Sequence, residues 1–545
     1  MSISGLFNIG KSAISASQTA LALINNNIAN VNTPYYVRQD VTLQISSPVV
    51  GSSGQLTGSG VTLAGIRRSF DRFIEAQLIQ QQQYQGRSTS LEKTLSQVEQ
   101  IFNEQQGMGL QKSLTEFFNA WQDVATSPQG QPQRTLLLQK ANSLVMAAQR
   151  METGLTTITK QANEGIADLA AQINGIASGI ASLNDNIIRL EAGQSSENSG
   201  DLRSQRDSLF NQLAGLADVS SFENSDGSLT ITMGMRNLVS GGRANPLSAP
   251  INSNADAELF LDSTNITGLL KNGQIGGLIA ARNDIQANSL PRLRELITSV
   301  IKEVNNLHRN GFGLDASTDN DFFSSLQLSS QDSAATADIT GLTVTNYDQL
   351  YANLSIRGYD ITFGGGNYTV TNRETGLTSV SGPYVPAGTT IAFDGIQVDI
   401  SGAAAATDSF FIDPASDAIR NFGIAVSDVN KIAASSSAAE LPGNNANALL
   451  IAQLANTAIA GLGSATFIQN YTSTVAYVGA VSRGASDALK IDDSMLEAIK
   501  NKRESVSGVS LDEEAANMIR YQRSFEAGAR MIRMTDELMQ TILNL

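Results

Sequence analysis

Apolar residues recur every seven positions at both ends of the chain. Near the N-terminus Phe7, Ile14, Leu21 and Ile28 keep that step, with Ile3, Ile24 and Val31 on the adjoining seam. A seven-residue apolar repeat is the coiled-coil period, so the spacing predicts an amphipathic helix. It should stop near Asn32-Thr33-Pro34, because proline disfavours helical backbone in the residue before it. At the other end Leu511, Met518, Phe525, Ile532 and Met539 hold the same step, and Met531, Leu538 and Leu545 widen the stripe. Ser510 and Glu513 match a capping box, and Asp512 and Glu514 put negative charge in the first turn. At 1.5 Å per residue the C-terminal helix runs roughly 50 Å. Neither helix can bury its stripe alone; each needs the other or a neighbouring subunit.

More helical material lies just inside each end. A glutamine run, Gln80 to Gln83, leads into Leu91, Leu95, Val98 and Phe102, and a second stripe follows at Leu110, Leu114, Phe117, Trp121 and Val124. Pro128, Gly130 and Pro132 interrupt it. Beyond them Ala162, Ile166, Leu169, Ile173, Ile176, Ile180, Leu183, Ile187 and Leu190 alternate steps of four and three, which predicts one long helix. Its expected partners are the stripes around Leu293, Ile297, Val300 and Val304, and around Tyr471, Val475, Val478 and Leu489. Two stretches change to short alternating strands with Gly, Asn and Asp turns, roughly 217 to 270 and 330 to 415. The fold class expected is α+β and multidomain: a long coiled-coil bundle built from both chain ends, with β-rich outer insertions. The expected domains are 1-40 with 508-545 as the inner coiled coil, 41-216 with 271-325 and 416-507 as the helical bundle, 217-270 as a small β insertion, and 326-415 as the outer β domain.

Composition narrows the function. Over 545 residues, 36 Lys+Arg stand against 51 Asp+Glu, a net charge of -15, which argues against nucleic acid as a partner. Charged residues make up only 16%, so much of the surface is Ser, Thr, Asn, Gln and Gly, suited to extensive protein contact. Cys is absent and His308 is the one histidine, which removes thiol nucleophiles, disulfides and His/Cys zinc sites. The N-terminus lacks the basic and apolar regions of a cleaved signal peptide. Two uncharged stretches, 12-37 and 441-482, are interrupted by amides and hydroxyls, so no membrane insertion is expected.

Little catalytic chemistry can be found. Asp315, Ser317, Asp319 and Asp321 imitate the start of a calcium loop, but the glycine and the closing glutamate are missing, the latter being Leu326. Gly364 to Gly366 lack the Lys-Ser/Thr of a phosphate loop and are expected to form a turn. His308, near a helix C-terminus, is favourably placed against the helix dipole in a structural role. No catalytic residue, cofactor or metal is expected, and the protein is expected not to be an enzyme.

The two ends also carry specific motifs. Residues 28 to 34, IANVNTP within NNNIANVNTPYYVRQ, resemble the N-terminal motif of the bacterial flagellar rod, hook and hook-associated axial proteins. Asn27, Asn30, Asn32, Thr33 and Pro34 carry that likeness. GSGVTLAGIRRSFDRF (58 to 73) is similar to the block that follows in the same family, and SGVSLDEEAANMIRYQRSFEAGARMI (507 to 532) to its C-terminal motif. LRSQRDSLFNQLAGL (202 to 216) and NNLHRNGFGLD (305 to 315) resemble the hook-associated members in particular. Tyr35 stands where the family usually has glycine.

The resemblance implies a structural subunit, exported by the flagellar type III system without a cleaved signal peptide and assembled outside the cell as a short junction between hook and filament. It implies self-association in a ring or short helical segment through Phe7, Ile14, Leu21, Ile24 and Ile28 on the first helix and Leu511, Met518, Phe525, Ile532 and Met539 on the last. The implied partners are the hook protein, a second hook-associated junction protein, and a cytosolic export chaperone at Met518, Phe525, Ile532 and Met539. Other readings stay open: another axial component of hook or distal rod, a secreted adhesin or carboxylate-dependent wall hydrolase on a coiled-coil stalk, and a cytosolic scaffold.

Overall fold

The computed structural model describes residues 3–50, 56–103, 109–192, 199–332 and 336–544; Leu545 lies outside them. The chain is 57% helical, with long helices at both ends and β-sheet domains between them, the α+β arrangement expected from its patterning. Eleven α-helices are described: α1 (Ile3–Ala29), α2 (Arg72–Phe102), α3 (Leu110–Thr126), α4 (Gln131–Glu191), α5 (Gly200–Leu216), α6 (Gly273–Asp284), α7 (Leu290–Arg309), α8 (Tyr347–Asn353), α9 (Ala446–Gln453), α10 (Phe467–Ser507) and α11 (Leu511–Leu543). The breaks follow the chemistry: α3 ends before the Pro128-Gly130-Pro132 interruption, and Ser510 caps α11 by accepting from the Glu513 N–H. Only half of the expected capping box forms there. The Glu513 carboxylate turns instead to the Arg38 guanidinium, 2.6 Å away.

The described residues cluster into two compact units. The first comprises Met1–Glu92, Ala162–Ala280 and Ala485–Leu545; the second comprises Lys93–Gln161 and Ala281–Gly484. In the second unit the stripes of α3, the first half of α4, α7 and the start of α10 form one core, running on into a β domain. That domain has a five-stranded antiparallel sheet in the order Ser329–Asp332, Ser409–Asp413, Tyr359–Gly364, Asn367–Asn372 and Thr378–Pro383. A three-stranded sheet, Ala337–Val344, Ile396–Gly402 and Thr389–Phe393, completes it. Gly364 to Gly366 lie at the turn joining two strands of the larger sheet, where Gly365 and Gly366 take positive φ.

The long 4/3 stripe of α4 has a different partner from the one expected. Leu293, Ile297, Val300, Val304, Tyr471 and Val478 pack with the earlier part of α4, from Leu137 to Ile158. Residues Ile166 to Ile180 pack in the first unit against Phe210 and Leu213 of α5 and against the small β insertion, through Ile231, Leu238, Leu247 and Leu261. The reason is physical: an apolar stripe states that a helix face is buried, and a sheet covers that face as well as a helix does.

Three asparagines on that face fix the pairing. Asn163 Nδ2 donates to the Ala255 carbonyl at 2.9 Å, and the Ala257 N–H donates to Asn163 Oδ1 at 3.0 Å. Asn174 brackets Leu247 in the same way, both bonds 2.8 Å. Asn184 brackets Leu229 at 2.8 and 2.9 Å. Their spacing of ten or eleven residues is three helical turns, which keeps all three on one face. Each supplies the hydrogen bonds that main-chain groups buried beside a helix would otherwise lack.

Candidate assembly interface

α1 and α11 lie against each other within the first unit. Their contact is made of small residues. A Cβ added to Gly10 would stand 2.9 Å from Ile532 Cγ1 and 3.3 Å from the Gly528 carbonyl oxygen. A Cβ added to Gly528 would stand 3.0 Å from Ile14 Cγ1 and 3.3 Å from the Gly10 carbonyl oxygen. Here the two backbones approach as closely as side-chain-free positions permit, and the separation of packed helices depends on the side chains between them. Ala16, Ser17, Ala20 and Ile24 continue the buried line on α1; Glu514 and Thr535 join Gly528 on α11. The Ser17 and Thr535 hydroxyls donate back to carbonyls four residues earlier, so neither is left unpaired in the contact.

The base of this hairpin is polar and specific. Asn27 Nδ2 donates to the Gln39 carbonyl at 2.9 Å and to Glu514 Oε2 at 3.3 Å, while Asn27 Oδ1 accepts from the Gln39 N–H at 3.1 Å and the Tyr36 hydroxyl at 3.0 Å. All four hydrogen-bonding positions of one buried amide are thereby used. Burial pushes the Glu514 carboxyl above its ordinary value, against the opposing hydrogen bond from Asn27. Burial likewise raises the Tyr36 phenol to about 12, so it stays protonated and able to donate.

The residues singled out from the sequence are divided by this geometry. Ile24 and Asn27 are buried; Ile14, Leu21, Ile28, Asn30, Met518, Phe525 and Ile532 are half-buried; Phe7, Asn32, Thr33, Pro34, Leu511 and Met539 are exposed. Asn30 holds the turn after α1, donating to the Asn26 carbonyl at 3.0 Å and accepting from the Thr33 hydroxyl at 3.1 Å. Sequence patterning missed the innermost line of the contact, because Gly10, Ser17, Gly528 and Thr535 are not apolar enough to register in a hydrophobic repeat. Their own seven-residue spacing was the available signal.

Comparison with known proteins bears on this arrangement. The helical domain of the flagellar hook-associated protein FlgK matches residues 95–323, and the D2-like domain of flagellar hook-associated protein 1 matches 329–414. The flagellar basal body rod protein model matches residues 7–36, and the FlgEFG C-terminal model matches 500–545. Flagellar hook-associated protein 1 of Escherichia coli K12 is 29% identical over 557 aligned positions, with all of both chains covered. That of Bacillus subtilis 168 is 24% identical, covering 98% of this chain and 96% of the relative. The chain belongs to the flagellar hook-associated protein 1 family. The flagellar hook junction protein FlgK from Burkholderia pseudomallei shares the fold, with a TM-score of 0.65 at 16% identity over 79% of this chain and 100% of that one.

Within this flagellar family the resemblance of the N-terminal motif breaks at Tyr35, and the structure shows how the departure is accommodated. Tyr35 has φ +63°, the left-handed region that glycine adopts freely and other residues enter at a cost of about 1 kcal/mol. Three contacts hold it there. Gln82 Nε2 donates to its hydroxyl at 2.8 Å, Arg503 Nη2 donates to its carbonyl at 2.9 Å, and the same guanidinium lies 5.7 Å from its ring centroid. Arg503 also pairs with Glu75, both side chains being nearly buried. Gln82 belongs to the glutamine run, whose other members have separate tasks: Gln81 donates to Asp492 and Gln83 to the Val219 carbonyl. The run is thus a set of individual ties from one helix.

The remaining chemical candidates are occupied structurally. Asp315 accepts from Ser317, and Asp321 accepts from Arg309, Ser325 and the Tyr351 hydroxyl. Among the described residues no group of three or more His, Cys, Asp and Glu side chains is placed to hold a metal ion. His308 is structural for a different reason from the one expected. It is fully buried, its Nδ1 is 2.6 Å from the Asn320 carbonyl, and its Nε2 accepts from the Ala433 N–H at 3.0 Å. Burial lowers its pKa to about 4, so the ring is neutral at ordinary pH and bridges two loops as donor and acceptor; no charge meets the helix dipole.

Proposed function

We propose that this protein is a structural subunit of the bacterial flagellum at the junction between hook and filament, and that it polymerises through its terminal helices. The observation that carries the polymerisation reading is the apolar surface left on the α1–α11 hairpin. Its seam consumes mostly small residues, while Phe7, Leu511, Ile519, Met534, Leu538, Met539 and Ile542 stay exposed. Met534, Leu538 and Ile542 follow at four-residue steps and share a face; Met534 is 63% exposed. In a helix pair this is the area that neighbouring copies would cover in a ring or short helical segment. The chain acts as a building element and carries no enzymatic activity; its axial neighbours are the hook protein and a second hook-associated protein. It leaves the cell by the flagellar type III route without a cleaved signal peptide, held by a cytosolic chaperone on the α11 stripe. Since Met518, Phe525 and Ile532 are half-buried beside α1, that chaperone engages α11 before α1 docks on it.

Deleting the gene tests the junction role: hooks without filaments, with flagellin lost to the medium, are expected, and normal filaments would refute it. Removing residues 511–545 should leave a folded second unit and abolish incorporation into the flagellum. Normal incorporation of the truncated chain would overturn the polymerisation reading.

A further inference from the structure

A two-stranded antiparallel ribbon leaves the base of the hairpin. Gln39–Ile45 pairs with Val61–Arg68, and beyond it Val49–Val50 pairs with Leu56–Thr57. Among the described residues these strands have no further strand beside them; the cover their edges have comes from α1, where the Val61 N–H donates to Ser12 Oγ at 3.3 Å. Near the base the ribbon is covered: Gln39 is buried, and Val41 and Ile66 are half-buried. Between the base and Val61, Thr42 to Ile45 are exposed without a break, as are Thr62 to Ala64 opposite them. Successive strand residues point to opposite faces, so consecutive exposure means that neither face is covered. One face of this outer part is apolar, with Ile45 81%, Leu63 45% and Leu43 40% exposed, and the other carries Thr42, Gln44 and Thr62.

Such a ribbon is marginal in water by itself, and natural open edges are normally guarded by charged side chains or proline. Pro48 apart, that guard is missing here: residues 41 to 66 contain no Asp, Glu, Lys or Arg. Charge also bears on the occupant. With a net charge of -15, two copies of the chain repel one another over most of their surfaces. The first 66 residues hold only Lys11, Arg38 and Asp40 as charged side chains, so here two copies can meet without that repulsion and with apolar surface to bury.

We propose that the ribbon is a contact between copies, burying Leu43, Ile45 and Leu63 against the equally uncharged N-terminal segment of a second copy of this chain. The contact is distinct from the exposed stripe of α11. It rests on the axial-subunit reading, since a head-to-tail contact of this kind propagates into a ring or a helix.

The absence of cysteine makes the test direct. Full-length Ile45→Cys carries one thiol, which takes a maleimide photocrosslinker; hook-filament structures isolated from cells are then irradiated. An adduct of twice the chain's mass, composed of this chain alone, is expected. An adduct with a different protein, or none in structures that contain the chain, overturns the ribbon contact and leaves the axial reading standing. Absence of the chain from those structures overturns both. Ile45→Lys changes a side chain already exposed in the single copy, so its unfolding curve should be unaltered while incorporation falls about tenfold, as loss of one buried Ile predicts. Undiminished incorporation contradicts the proposal.

Discussion

The core of the second unit is built of rings, whereas the contact of α1 with α11 is built of their absence. Phe117, Trp121, Phe322, Phe323 and Phe422 form a chain of ring contacts, with centroids 5.4 Å apart for Phe117 and Phe323, 5.2 Å for Trp121 and Phe322, and 4.8 Å for Phe323 and Phe422. Large aromatic surfaces removed from water stabilise a fold without outside help. Gly10, Ser17, Gly528 and Thr535 bring two helices close but bury little apolar area of their own. The first arrangement is complete in one chain. The second leaves several large apolar residues, Met534, Leu538 and Ile542 among them, on the outside, which is what a subunit needs if its ends are to be finished by neighbours.

Three measurements sharpen or break this contrast. The largest effect is expected from Phe322→Ala, which empties the centre of the ring cluster and should cost about 3–5 kcal/mol. Denaturant unfolding followed through Trp121, the one tryptophan and a member of that cluster, reads this directly. A loss below about 1 kcal/mol would mean that the rings are not what holds the unit together.

Acid comes next. His308 has an ordinary pKa of 6.5 and a folded value near 4, so the unfolded chain binds its proton first. Its contribution is fully present above pH 6.5, is lost progressively as the pH falls toward 4, and amounts to about 3 kcal/mol. The urea midpoint of the native chain should therefore fall over that window relative to His308→Gln. Parallel curves would show that the buried imidazole does not resist protonation.

The smallest effect on stability, yet a large one on assembly, is expected from Gly528→Leu. The added side chain meets Ile14 and the Gly10 carbonyl, so α11 should leave α1 and become sensitive to protease. The Trp121-reported midpoint should move by less than about 0.5 kcal/mol. A protected α11 would mean that the close approach of the glycines is dispensable.

Much of this was legible in the chain. The seven-residue steps place both terminal helices, and the alternation of short strands locates both β regions. What escaped has three physical causes. A hydrophobic repeat cannot report a seam of glycine, serine and threonine, so the inner line of the hairpin went unseen. It cannot name what covers a stripe, so the second half of α4 was paired with helices when a small sheet lies on it. Nor does it value a polar residue inside an apolar run, although Asn27, Asn163, Asn174 and Asn184 are the residues that fix which segments lie together. The buried Arg503–Glu75 pair, 428 positions apart in sequence, has no local signature at all.

Asn163, Asn174 and Asn184 grip the small β insertion chiefly by its peptide groups. The hydrogen bonds themselves do not read the side chains at Leu247 and Leu229, whose identity is set instead by their burial in the core. The hydrogen bonds therefore separate position from identity: the helix dictates where the insertion runs, and mutation is left free to rewrite what its outward side chains display. A surface that must stay in place while its composition drifts is well served by being held through the one part of the polypeptide that mutation does not change.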